Sequence, residues 1–325
     1  MVMAFLRSFF PTKEFMTRYL SLEVQRGTEK IAVDVKRGTE GNFNTFSKST
    51  EKIFDPPYFA EWFNLNELDL YDRMIGSSSI DDGVYAALLE QTSDKMGELV
   101  KKIERAYEKM CADALTFGTI TLVNGDSVDF KRKAGSLVAN TVDNTWATGT
   151  VDPCANIAEG CTFLRTDGKV QGGVFNLIMG STAFSDFINN TIIKSRADIR
   201  RYELVNVAAP QRNSLGASLH GQVSCGSYLV NLWTYPEYYE DANGTLQPYI
   251  DPKKVILLPE APNFALNFAA CPQLIDEQNP TVKTGAYLFV EDRNAWEGVH
   301  KYGVRSAGVP MLKGVDQVWT MQPVA

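Results

Sequence analysis

The stretch 83–117, GVYAALLEQTSDKMGELVKKIERAYEKMCADALTF, constrains the fold more than any other part of the chain. Its apolar residues Leu99, Ile103, Ala106, Met110 and Ala114 recur at steps of three and four, which predicts one long amphipathic helix with a core-facing stripe. Lys101, Lys102, Glu104, Arg105, Glu108 and Lys109 are then expected on the opposite, solvated face. Unbroken, the helix runs ~50 Å, with Gly97 as the candidate break. A chain of 325 residues is past the size at which single cores usually stop growing, so one large domain or two closely connected ones must form around this helix.

Strand patterns flank it on both sides. Residues 21–60 alternate in SLEVQRG, EKIAVDVKRG and TFSKSTEKIFDPP, as half-buried strands do. RGTE occurs at 26–29 and again at 37–40, too close for a repeat architecture, and reads as two similar turns. From 38 to 49 the Gly, Asn, Thr, Ser and Lys composition suits an exposed tip, which two strands of about ten residues carry ~33 Å outward. After the helix, TITLVNGDSVDFKR reads as a hairpin about Asn124-Gly125. GGVFNLIMG, GSYLVNLWTY and KKVILLP read as strands, and STAFSDFINNTIIKSRAD as a helix capped by Ser181 or Thr182. The C-terminal stretch reads as further strands, interrupted at Pro310. Ahead of all of these, the first 20 residues carry Phe5, Phe9, Phe10, Phe15, Met16 and Tyr19, a sticky arm of the kind that marks a partner site when exposed.

The chain offers surface more readily than chemistry. Lys and Arg number 32 against 39 Asp and Glu, and a net charge of −7 argues against a nucleic-acid reader that relies on a basic footprint. The five cysteines contain no CxxC pair, so they read as reduced, mostly buried thiols and not as a zinc site or disulfide framework. MVMAFLRSFFPTKEF is too short and too interrupted by Arg7 for a signal peptide, and no later run reaches membrane-spanning length, so a cytosolic chain with no membrane partner is expected. His220 and His300 lack metal-ligand neighbours. GASLHG at 216–221 places Ser218 as a nucleophile elbow would, yet His220 stands where the second glycine belongs, so a flexible loop is expected in preference to a hydrolase built on Ser218 and His220. DANG at 241–244 reads as a hairpin turn, and Asp81-Asp82 as acids favoured at a helix start. No catalytic, metal or cofactor site is expected.

One further stretch is WTYPEYYEDANGTLQPYIDPKKVILLP, 233–259, with four tyrosines and a tryptophan on one strand-turn-strand. Together with FLRSFFPTKEFMTRYLSLEV near the start and SAGVPMLKGVDQVWTMQPVA at the end, it resembles the major capsid proteins of tailed bacteriophages with the Hong Kong 97 capsid fold, most closely the phage lambda major capsid protein (protein E) family. The resemblance covers nearly the whole chain in order and is weakest over 130–220. It implies an α+β fold: an N-terminal arm (1–25), an extended β-hairpin loop (26–62), a peripheral domain with a long spine helix and a β-sheet (63–150), a mixed α/β axial domain (151–275) and return strands (276–325).

The resemblance also implies a function. The chain would self-assemble into hexamers and pentamers of an icosahedral head, with a scaffold protein, a portal and a decoration protein as partners, enclosing double-stranded DNA without sequence preference. Its place is the virion capsid, assembled in the host cytoplasm. Expected subunit contacts are Phe5, Phe9 and Phe10 of the arm, Phe43, Phe46 and Phe54 of the hairpin loop, and Tyr235, Tyr238 and Tyr239, since Tyr and Trp suit a wet interface. Lys48 reads as a solubilising charge at the loop tip and not as a cross-linking lysine. A cellular nanocompartment shell of the same fold is the alternative, distinguished by a protein cargo in place of DNA.

Overall fold

Helix α1 spans Asp82–Phe117 without a break. Gly97 does not interrupt it: a Cβ there would meet nothing within 4 Å, so its cost is the backbone entropy of one glycine, about 1 kcal/mol. The structure, a computed structural model, describes residues 4–24, 50–66, 82–121, 127–197, 205–241, 243–276, 279–283, 285–294 and 299–325. The expected loop tip with Phe43, Phe46 and Lys48, the two RGTE turns, Asp81 and the Asn124-Gly125 turn lie outside the described residues. So does the side chain of Phe54.

The buried surface of α1 is wider than its apolar stripe. Ile103, Met110 and Ala114 are buried as the spacing predicts, and so are Tyr107, Cys111 and Leu115. Glu108, expected on the solvated face, has no exposed surface. The helix is packed on more than one side, by the 3-10 turn Leu6–Phe9 and by the strands Thr119–Thr121, Val299–Ser306 and Gly308–Leu312. A single-stripe reading assumes one neighbour; here the second face is covered by residues distant in sequence.

The centre of the chain is a seven-stranded sheet in the order Leu137–Val138, Trp319–Met321, Val255–Pro259, Val174–Met179, Tyr228–Thr234, Ser218–Cys225 and Val205–Arg212. Its central strands are buried on both faces, so they read as continuous apolar runs. Alternate residues enter different cores. Val255, Leu257, Leu177 and Leu232 face a cluster built with helices α2 (Pro153–Thr166), α3 (Ser181–Asn189) and α4 (Thr191–Ala197), while Ile256, Leu258 and Ile178 face the core that holds α1. The sheet thus divides the two cores, drawing strands from 137–138 and 319–321 as well as from within 151–275.

Smaller sheets surround it. Phe264–Phe268 pairs in parallel with Thr12–Glu14 and antiparallel with Gly308–Leu312. Phe59–Asn66, Val299–Ser306 and Leu288–Asn294 form an antiparallel sheet beside α1. Leu20–Val24 pairs with Thr50–Phe54, the base of the expected extended hairpin.

Three local expectations need correction. Pro310 does not interrupt a strand; it lies within Gly308–Leu312, opposite Leu266, on an edge strand where its missing N–H is tolerated. The helix at 181–198 is two helices, and its N-cap is Gly180, with no side-chain cap. The amides of Thr182 and Ala183 donate to Pro252 O at 3.1 and 3.0 Å, and the 251–252 backbone presses on Gly180 so closely that only glycine fits. The break falls at Asn190, whose Oδ1 accepts from Ile192 N at 2.9 Å and whose Nδ2 donates to Trp146 O at 2.9 Å and Val151 O at 3.1 Å. GASLHG is a loop only at Gly216 and Ala217: Ser218 opens the strand Ser218–Cys225, and the register shifts between Leu219 and Gly221, leaving His220 as a bulge residue.

Candidate functional site

Tyr238–Glu240 pairs with Leu246–Pro248 around a turn that Asp241 closes, its Oδ1 accepting from Asn243 N and Thr245 N at 2.8 and 3.0 Å. DANG is therefore the hairpin turn expected. The tyrosines on and beside this hairpin divide into two sets. Tyr235 and Tyr249 are buried and stack at 5.8 Å, with Tyr239 at 5.2 Å from Tyr249. They lie against α1, where the Tyr235 hydroxyl donates to Glu108 and Lys109 Nζ sits 5.9 Å from the Tyr239 ring. Tyr238 is 53% exposed and Leu246 68%. These two border an open cleft of about 710 Å³ whose other wall is Lys102, Arg105 and Lys109 of α1.

The arm behaves differently from its expectation. Phe5 is 4% exposed and Phe10 2%, buried within their own subunit. Phe5 meets Phe9, Trp233 and Tyr235 at 5.2 to 5.7 Å, and Phe10 stacks on Phe264 at 5.1 Å. Leu6 and Arg7 amides donate to Glu108 Oε1 and Oε2 at 2.8 and 2.9 Å. Phe5, Phe10 and Tyr235 are thus buried within their own subunit, where the tyrosine hairpin, α1 and the arm supply one another with a closed apolar and polar environment. Further along, Met16 (83% exposed) and Tyr19 (52%) stay outside, and Phe15, Thr17, Tyr19 and Leu20 line a second cleft of about 490 Å³.

His220 Nε2 lies 2.8 Å from Thr234 Oγ1 and its ring 4.1 Å from that of Phe184, with burial holding its pKa below the ordinary value. The bulge therefore engages it with Thr234 and not with Ser218. All five cysteines are free and buried. Burial raises the Cys161 thiol to about 12, whereas contact with the Cys225 thiol lowers Cys154, with Arg196 adding to the effect. Among the described residues no helix is long and apolar enough to cross a membrane, and no cluster of three His, Cys, Asp or Glu side chains could hold a metal.

A long helix with an N-terminal segment laid along it, a paired hairpin base and a seven-stranded mixed sheet with helices define the subunit of a Hong Kong 97-type phage capsid. The chain belongs to the phage major capsid protein E family, whose model matches residues 4–298. It is a phage major capsid protein. No curated protein sequence matches it. A structure described as a capsid protein of a prophage in Escherichia coli CFT073 is 13% identical, with 100% of this chain and 94% of that one covered at a TM-score of 0.65. A phage-related protein of Bordetella bronchiseptica RB50 is 12% identical, with 99% and 92% covered at a TM-score of 0.53.

Proposed function

We propose that this subunit closes into hexamers and pentamers of an icosahedral head around double-stranded DNA, formed in the host cytoplasm on a scaffold protein with a portal at one vertex. The observation that carries the reading is the family match along 4–298. Residues 63–150 serve as the peripheral part and 151–275 as the part around the capsomer axis, with a decoration protein as an outer partner. The subunit acts through surface and carries out no reaction. Its net charge of −7 suits a shell that encloses DNA without gripping it, since strong phosphate binding would hold the packaged polymer in place.

Two exposed apolar groups at clefts suit neighbours among the described residues: Tyr238 with Leu246 beside Lys102, Arg105 and Lys109 of α1, and Phe15 with Tyr19 at the second cleft. Apolar side chains grouped in this way at clefts mark interaction sites. Electron microscopy of the purified chain, alone and with its scaffold, is expected to show closed shells, and nuclease treatment of particles from lysed hosts to leave protected DNA. A chain that stays monomeric in both preparations would overturn the reading, and particles filled with protein cargo would point to a nanocompartment. Ser218→Ala is expected to leave shell formation intact.

A further inference from the structure

Glu108 is a carboxylate with no exposed surface, closed over by a segment that lies 102 residues earlier in the chain. Its oxygens accept from the amides of Leu6 and Arg7, and from the Tyr235 hydroxyl. The titratable groups facing it are Arg7 from the N-terminal segment, Tyr235 and Tyr249 from the tyrosine hairpin, and Cys111 from its own helix. Arg7 is the cation of this set, and its guanidinium is directed elsewhere: Nη1 donates to Tyr287 Oη at 3.1 Å and lies 3.7 Å from Glu104 Oε1. The carboxylate is therefore held by hydrogen bonds from neutral donors in an apolar setting of Phe5, Leu6 and Cys111. Full burial of an ion outweighs those bonds.

We propose that residues 4–10 form a clasp which closes on Glu108 with uptake of a proton and reopens as the pH rises. The geometry requires the coupling, because opening the segment removes the lid from the carboxylate and returns it to water. Burial pushes the closed-state carboxyl up to about 7, from an ordinary value of 4.5, against the downward pull of the Leu6 and Arg7 amides, the Tyr235 hydroxyl and, least of these, the Arg7 charge. A raised carboxyl pKa stabilises the closed state fully below the ordinary value, and that contribution is lost as the pH rises through the raised one. Closing therefore binds up to one proton between these limits, and the closing constant falls by at most about tenfold per pH unit across them. Opening takes Phe5 and Leu6 out of their contacts with Trp233, Tyr235 and α1, which makes an apolar surface available to a neighbouring copy.

The test is amide hydrogen exchange on the full chain at low concentration between pH 5.5 and 8, with protection corrected for the intrinsic pH dependence of exchange. Protection of Leu6 and Arg7 is expected to fall on the order of tenfold or more over this range, while Leu177 and Leu257 in the central sheet hold theirs. Glu108→Gln keeps the size and an acceptor oxygen but cannot ionise, so the same amides should show no slope. Tyr235→Phe removes a donor that favours the ionised form and should move the fall to higher pH. A flat profile in the wild type, a slope surviving in Glu108→Gln, an unmoved midpoint in Tyr235→Phe, or an equal slope at Leu177 would each overturn the proposal.

Discussion

The Arg132 guanidinium donates to Leu115 O, at the last turn of α1, over 2.8 Å. The same group reaches Ser136 O and Val318 O at 3.0 Å each and Thr320 Oγ1 at 3.1 Å, so one half-buried side chain ties the end of the long helix to the C-terminal strand. Burial pulls its pKa down to about 9 against the upward pull of Asp316, and it stays a cation at neutral pH. Arg132→Met leaves the carbonyls of Ser136 and Val318 without this donor and is expected to destabilise the subunit by roughly 3–5 kcal/mol. Arg132→Lys should recover little of that loss, because an ammonium cannot span the fork. Urea melts of the three proteins test this; a lysine variant within error of the wild type would show that charge alone suffices.

On the sheet of Phe59–Asn66, Val299–Ser306 and Leu288–Asn294, Trp62 lies over Gly303, with Arg305 5.0 Å from its ring. A Cβ at Gly303 would fall 2.5 Å from Trp62 Cδ2. Gly303→Ala is expected to displace the indole and cost about 1–3 kcal/mol, in the range of overpacking. In a Trp62→Ala background the same change should cost much less, and equal costs in the two backgrounds would place the strain elsewhere.

How much of this was legible in the sequence varies with the range of the interactions. Helix α1, the strand 174–179 and the DANG turn follow from local pattern, and they stand where the residues put them. Glu108 was not legible: in a run of Glu, Lys and Arg nothing local marks one carboxylate as buried, and its partners Leu6, Arg7 and Tyr235 are far off in the chain. The tyrosines carried a true signal of packing, but the sequence could not distinguish packing on α1 from packing on another subunit. The spacing of Tyr107, Cys111 and Leu115 forms a second helical stripe beside the first, which indicates cover on two sides.

The two sets of tyrosines should respond differently to truncation. Tyr238→Ala and Leu246→Ala remove exposed side chains, so the subunit's melt is expected to shift within about 0.5 kcal/mol while shell yield falls. Tyr235→Ala opens the closed cluster with Phe5 and Glu108 and should destabilise the subunit by roughly 3 kcal/mol or more. Shells forming normally from the Tyr238 and Leu246 double variant would remove that surface from the lattice.

Because all five thiols are buried in the subunit, they are expected to stay reduced and unlinked between subunits in assembled particles. Non-reducing gels of freshly lysed, thiol-blocked cells should show a monomer band. Disulfide-linked dimers in that preparation would mean that a cysteine reaches the surface during assembly.

The segment between the paired strands Leu20–Val24 and Thr50–Phe54 gives the most discriminating prediction. A compact chain of this length has a radius of about 20 Å, whereas strands of about ten residues project ~33 Å, and an isolated two-stranded ribbon is marginal in water. One core is built on α1 and the N-terminal segment, the other on α2, α3, α4 and the central sheet. Replacing residues 40–49 with a short Gly-Ser turn is therefore expected to leave a cooperative melt close to that of the wild type. If the segment lies across an adjacent subunit, with Phe43 and Phe46 at the contact, the same variant forms no shells. A globally unfolded variant would place the segment in the subunit's own core, and ordinary particles under the electron microscope would show that the lattice does not use it.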